Sequence, residues 1–201
     1  MVGRVEGVAE EVAEAFAGFP EPQCHALNSS WLSAVRLLPG AQQCIAWGMP
    51  TLRVDGDLVI SMQGFAKHNS VFPGPVVIER LAAELAGTTV TKGTIHFERD
   101  KPMHRPLQRK ILRACLTELN AGYPRANGVY KEYYDNGYLK VRGKVKSGEH
   151  HGLWEFFRKD GTIKRSGRFN AGRQVGTWIT YDSAGHPHKE TDFGRSQRRP
   201  S

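Results

Sequence analysis

The sequence predicts an α+β protein in two parts: a compact helix and antiparallel-sheet domain over residues 1–122, then an all-β array of three stacked hairpin repeats over 128–193. Three observations predict this. Residues 1–122 carry 12 Lys+Arg against 12 Asp+Glu, whereas 123–201 carry 16 against 8, so the whole net charge of +8 sits in the second part. Such a step in composition marks a domain boundary. Helix-period and strand-period stretches alternate in the first part, as in α+β folds. In the second part glycines and aromatics return every 24 residues, the mark of stacked supersecondary units.

In chain order, residues 1–19 read as a short helix with Val5, Val8, Val12, Ala15 and Phe16 on one side. `SSWLSAVRLL` predicts a second helix, with Trp31, Leu32, Val35 and Leu38 on one stripe and Ser29 or Ser30 as N-cap. `LRVDGDLVISMQGFA` predicts a hairpin turning at Asp55-Gly56, with Leu58, Ile60 and Met62 alternating out of it. A further strand ends at Pro73, and Pro75 stands in the first turn of a helix running through `PVVIERLAAELA`. `KGTIHFE` is another strand, and `PLQRKILRACLTEL` a closing amphipathic helix. `NAGYPRANG` supplies a Gly-, Pro- and Asn-rich connection, with the linker at 123–127.

The stretch `CIAWGMPTL` interrupts an apolar run with a stiff turn. Pro50 fixes its own φ and pushes Met49 extended, while Gly48 lets the chain bend. Trp47 and Met49 are thereby expected to face outward from the bend or into a shared concavity, with Phe65, Phe72 and Pro73 able to line its other side and Lys67, His68 and His96 as its polar groups. An apolar hollow with few polar groups is what a small ligand or a peptide needs. Core filling is the competing reading of the same side chains.

The second part repeats a simple unit. Gly128, Gly152 and Gly176 open units at 128–151, 152–175 and 176–193, and Gly137, Gly161 and Gly185 keep the period. Tyr130, Trp154 and Trp178 recur, as do Tyr133, Phe157 and Tyr181. Asn136-Gly137 and Asp160-Gly161 predict tight hairpin turns, and Ser147-Gly148 and Ala171-Gly172 lead into the next unit. Tyr130 and Tyr133 are three apart and face opposite sides of a flat strand, which calls for a bulge or for a sheet covered on both faces. These residues resemble the MORN-repeat variant of bacterial proteins, some of which are labelled antitoxin-like. The third unit departs from the pattern, with Pro187 and His188 in place of Ile163 and Lys164. Lys140, Arg142, Lys144 and Lys146 alternate with apolar positions. They are expected either to keep an edge soluble or to meet an acidic protein or an anionic surface. The expected partner contacts are Lys140, Arg142, Lys144, Trp154 and Trp178. No nucleic-acid fold signature is present, so nucleic acid is not the expected partner. The tail 194–201 reads as disordered.

From about Gln23 to Leu119 the chain resembles the DUF1801 family (YdhG-like). The residues that carry the resemblance are Gly48-Met49-Pro50, Lys67-His68, Phe72-Pro73 and Lys92-Gly93-Thr94-Ile95. It implies a compact α+β domain and, since some members are named iron chaperones, frataxin-like iron delivery. Where the family has an acidic pair this chain has Gln42 and Gln43, which removes carboxylate oxygens that iron prefers. The expected ligand-binding set is Trp47, Met49, Pro50, Lys67, His68, Phe72, Lys92 and His96, with no cofactor required and iron the alternative.

No stretch has 18 consecutive apolar residues, so no transmembrane helix is expected, and the Glu-broken N-terminus does not read as a secretory leader. Three widely spaced cysteines, Cys24, Cys44 and Cys115, make a poor disulfide framework and point to a reducing cytoplasm. The sequence lacks GxSxG, P-loop, GxGxxG and HExxH motifs, so a binding protein or antitoxin-like adaptor is expected rather than an enzyme.

Overall fold

The computed structural model describes residues 6–123 and 126–194. Val5, Pro124 and Arg125 of the linker, and tail residues 195–201 lie outside the described residues. The chain divides into two compact units, the first running to Glu118 and taking in Asp135–Gly137, the second comprising Leu119–Tyr134 and the chain from Tyr138 on. Four helices and two antiparallel sheets make it an α+β protein.

The first unit begins with α1 (Glu10–Ala17), which buries Val12 and Phe16. Val8 is buried ahead of the helix rather than on it, because the helix starts only at Glu10. The next helix, α2 (Gln23–Leu37), starts six residues before the expected Ser29. No side chain caps it; Pro22 occupies the N-cap. Ser30 is instead a buried mid-helix residue whose hydroxyl donates to the Ala26 carbonyl (2.7 Å) and accepts from the Met103 amide (2.8 Å). A helical serine bonding four residues back is the ordinary alternative to capping. Trp31 and Leu38 are buried as the stripe requires, and Trp31 meets Phe16 edge-on at 6.0 Å.

The five-stranded sheet has the order β1-β2-β3-β4-β5, every neighbouring pair antiparallel. Its strands are β1 (Gln42–Ala46), β2 (Met49–Val54), β3 (Asp57–Gly64), β4 (Asn69–Val71) and β5 (Ile95–Phe97). The Asp55-Gly56 turn forms as expected, with φ of 46° and 86°. Beyond it Val59, Ile60, Ser61 and Met62 are all buried, so β3 does not alternate. A central strand covered on both faces loses the two-residue burial period. Between β4 and β5, α3 (Pro75–Arg80) is shorter than the sequence suggested; the chain continues as turns that still bury Leu81 and Leu85. The closing helix α4 (Arg105–Ala121) buries Ile111, Leu112, Cys115 and Leu116. Burial pushes the Cys115 thiol up to about 12.

The second unit is one antiparallel meander, β11-β10-β9-β8-β7-β6. Its strands are β6 (Gly128–Tyr133), β7 (Leu139–Lys146), β8 (Glu149–Phe157), β9 (Ile163–Asn170), β10 (Arg173–Tyr181) and β11 (Pro187–Asp192). Each repeat is a hairpin, and its neighbour pairs with it in the same sheet. The register shifts between Glu132 and Tyr133, between Phe156 and Phe157, and between Thr180 and Tyr181. The extra residue lies on the outgoing strand each time, at Lys140, Lys164 and His188, so β6 keeps its alternation. Tyr130 packs against the cluster of Val141, Val145 and Trp154, while Tyr133 is buried outside that cluster, so the strand is covered on both faces.

The turns divide differently from expectation. Ser147-Gly148 and Ala171-Gly172 are the tight two-residue turns, with φ of 52° and 78°, and 46° and 74°. The Asp160-Gly161 connection is longer: Arg158 N–H donates to the Thr162 carbonyl (2.8 Å), leaving three residues in the loop and Gly161 at φ 87°. That is a type I turn followed by a left-handed residue, the next commonest hairpin. The Asp160 carboxylate accepts from the Thr162 amide and hydroxyl, which holds it below its ordinary range.

Candidate functional site

Pro50 decides the geometry of the opening hairpin. Ala46 pairs with Met49, so the turn is Trp47-Gly48, with φ of 51° and 74°, and Met49 and Pro50 belong to β2. Pro50 faces Ile45, the one kind of antiparallel pair that asks for no N–H from the proline toward β1. Its missing donor lies on the β3 side, where pairing starts only at Thr51 opposite Ser61. Trp47 therefore sits at a hairpin tip, 75% exposed, with the Arg53 guanidinium 5.8 Å from its ring. Trp47 thus takes the outward one of the two expected placements.

A cavity of about 620 Å³ lies at the other end of the same sheet. Three separate segments wall it: Lys67 and His68, then Gly87–Thr89, then Ile95 to Glu98 continuing through Lys101 and Met103 to Leu107. Of the expected binding set, Lys67, His68 and His96 line it. Trp47, Met49, Pro50, Phe72 and Lys92 do not. Phe72 follows β4 and donates its N–H to the Ser61 carbonyl, and Lys92 is exposed in the loop before β5.

The imidazoles are its distinctive feature. The Gly64–Asn69 turn closes through Phe65 N–H to the His68 carbonyl (2.8 Å), which brings His68 beside β4. His96 pairs across from Ser70 on β5. The two rings stack with centroids 3.9 Å apart and planes 11° from parallel, and Phe65 stacks on His68 at 5.2 Å. Burial, and secondarily the neighbouring His68 imidazole, lower the His96 pKa. The stack is thus favoured when His96 is neutral. Across the cavity Lys101 is paired with Glu98 (2.7 Å), a hydrogen bond that raises the exposed ammonium's pKa.

A buried polar knot holds these walls together. Asn69 is fully buried; its Nδ2 donates to the carbonyls of Glu98 (3.1 Å) and Arg99 (2.8 Å), and its Oδ1 accepts from Gln23 Nε2 (2.9 Å). Gln23 also donates to Phe65 O and accepts from Arg99 Nε. The turn bearing His68 and the segment leading to Lys101 are therefore tied to one side chain. Nothing in the sequence singles out Asn69 or Gln23, because the partners lie 29 to 76 residues away. Thr88, Thr89, Glu98, Lys101, Met103 and Leu107 were missed for the same reason.

Gln43 has a different task from the one its position suggests. Its Oε1 accepts from Trp31 Nε1 (2.7 Å) and the Ala9 amide (3.0 Å), while its Nε2 donates to the Gly7 carbonyl (2.9 Å). Among the described residues, no group of three or more His, Cys, Asp or Glu side chains is placed to hold a metal ion.

In the second unit, the expected partner contacts also sort differently. Trp154 and Trp178 are each 1% exposed and form the core of the sheet face, so neither presents a surface. Lys140 is paired with Glu132 (2.6 Å) and Arg142 with Glu155 (2.8 Å). Lys144 is exposed on the same face.

A helix-and-sheet unit with a histidine-walled cavity, joined to a hairpin meander, is the class that this fold and site define. No family model matches the chain, and no curated protein matches it. Among solved structures it is similar to a DUF1801-family protein of Bacillus subtilis, YdhG, with a TM-score of 0.51 and 21% identity over 55% of this chain and 92% of that one. At that identity the likeness is one of fold. No described helix is long and apolar enough to cross a membrane.

Proposed function

We propose that the first unit is a binding module for a small acidic molecule, and that the cavity walled by His68 and His96 receives it. The observation that carries this reading is the cavity itself. About 620 Å³ is the size of a small-ligand pocket. Lys67 and Lys101 outnumber the single carboxylate of Glu98, and His68, His96 and His104 add imidazole donors. A carboxylate or phosphate would accept from these groups, and Ile95, Met103 and Leu107 would cover the remainder of the ligand. Catalysis is not part of the reading.

For the second unit we keep the MORN-variant reading, supported by the 24-residue period and by the meander of three hairpins. Its face of Lys144, Lys146, Lys164 and Arg168 suits an acidic protein surface, as an adaptor would use.

Calorimetric titration of the full chain with inorganic phosphate, pyrophosphate, citrate and glutamate, with glucose as neutral control, tests the cavity. Saturable binding of at least one anion, weakened tenfold or more in a folded Lys101→Ala/His96→Ala variant, is the expected result. No saturable heat from any of the four, or equal binding by the variant, sinks the reading.

A further inference from the structure

The two sheets have four outer edges, and three of them are blunted. Backbone groups at 89–91 cover β5, through the His96 amide to the Thr89 carbonyl (2.9 Å) and a bridge between Val90 and Ile95. On β6 the Asn120 side chain bonds both the amide (2.8 Å) and the carbonyl (3.0 Å) of Tyr133, as a neighbouring strand would. Pro187, Lys189, Glu190 and Asp192 guard β11 with a proline and charges. These are the devices by which proteins prevent an edge from recruiting another chain.

Among the described residues, the fourth edge, β1, has none of them. Gln42-Gln43-Cys44-Ile45-Ala46 carries no charge and no proline, and no described strand pairs with its outer side. Because Ala46 and Met49 close a two-residue turn, Ala46, Cys44 and Gln42 bond to β2, and the backbone groups of Gln43 and Ile45 point outward. Ile45 is 37% exposed, and the strand ends in Trp47. The first turn position is left-handed, a conformation that bulky residues rarely occupy. The other described non-glycine residues with positive φ, Asp55, Ser147 and Ala171, are small or polar and stand in equivalent turns. A tryptophan held in such a conformation and displayed to solvent serves a contact rather than the turn.

Charge identifies the occupant. The α1 N-terminus lies against β1 through the bonds from Gln43 to Gly7 and Ala9. From Glu6 to Val35 the chain has Glu6, Glu10, Glu11, Glu14 and Glu21 and no Lys or Arg, and Glu6, Glu10, Glu11 and Glu14 are exposed. Arg53, beneath Trp47, is the nearby opposing charge. We propose that β1 is a docking edge to which an extended, basic segment of a partner protein adds as a sixth strand, with Trp47 packing on it. Main-chain bonds to Gln43 and Ile45 supply affinity, and the acidic helix selects Lys and Arg at alternate positions.

The test uses the full chain to select from a phage-displayed library of random nonapeptides, with Ile45→Lys as the guarded-edge control. The expected peptides are rich in Lys or Arg at alternating positions. They protect the Gln43 and Ile45 amides from hydrogen exchange, and bind at least tenfold more weakly to Ile45→Lys and to Trp47→Gly. The second variant places glycine where the turn favours it, so its folding is secure. Three results overturn the proposal: no enrichment over the control, affinity for both variants equal to that for the unmodified chain, or a concentration-dependent dimer that Ile45→Lys dissociates. The last would give the edge to a second copy of this chain.

Discussion

The indole of Trp154 fills the space in which a side chain on Gly143 would have to lie: a Cβ there would come within 2.2 Å of the ring. Trp178 stands over Gly167 in the same way, at 2.1 Å. Neither glycine has a positive φ, so each is required for space rather than for backbone freedom. The ladder skips the glycine, with register shifts between Arg142 and Lys144 and between Val175 and Ile179. The indole N–H then donates to the carbonyl one residue beyond it, Trp154 to Lys144 (3.1 Å) and Trp178 to Arg168 (3.2 Å). Gly143→Ala or Gly167→Ala is expected to cost about 3 kcal/mol, the upper end for overpacking. Urea unfolding followed by tryptophan fluorescence reads this as a lowered midpoint for the second unit.

Gln43→Glu keeps the shape of the side chain and adds a carboxylate like those of the DUF1801 pattern. It also removes the donor to Gly7 and leaves two charged oxygens where one is needed. We expect a loss of about 1–2 kcal/mol, the cost of an unpaired polar group beside retained donors. Thermal denaturation of the wild type and variant measures it, and an unchanged midpoint would falsify the assignment of both amide ends.

Asn69→Ala is the corresponding test of the cavity walls. It leaves the Glu98 and Arg99 carbonyls without their donor and Gln23 Nε2 with only the Phe65 carbonyl to donate to. A destabilisation of about 2–3 kcal/mol follows from the buried groups left unsatisfied. Hydrogen exchange is expected to rise in the segment Glu98–Lys101 more than in α2.

The His68–His96 stack makes the first unit sensitive to acid. Burial and then His68 hold His96 below its ordinary value of 6.5, so the folded chain binds this proton less readily than the unfolded chain does. Stability is complete above 6.5 and is lost as the pH falls from there through the lowered folded value. The urea midpoint is expected to fall between about pH 7.5 and pH 5, and His96→Gln to flatten that slope. Burial lowers His150 as well, so the second unit declines in the same direction through its own histidine.

Much of the architecture was legible because it rests on local chemistry. The Asp55-Gly56 hairpin, the closing helix and the repeat period follow from turn residues and apolar spacing, and the structure has all three. The bend at Gly48 was legible too, and Gly48 takes φ 74° in the turn; no local pattern announces that a bulky Trp47 holds the left-handed position before it. The start of α2 was missed because no capping side chain marks it, and Ser30 offered a false one. Periodicity located Trp154 and Trp178 but said nothing of their depth, which depends on the empty space over Gly143 and Gly167. The cavity joins segments 67–68, 87–89 and 95–107, and no local pattern announces such a meeting.

The stepping of each tryptophan onto the glycine of the strand before it has a consequence for how such a chain can change length. Trp178 makes to Gly167 the contact that Trp154 makes to Gly143, 24 residues earlier. Excising Gly152–Val175 would join the start of β8 to the end of β10 and bring Trp178 over Gly143, with every interlock remade. Excising a shorter piece leaves an indole facing a strand with no gap to receive it. The array is therefore quantised: it lengthens or shortens by whole 24-residue steps, like links in a watch strap, and resists any other increment.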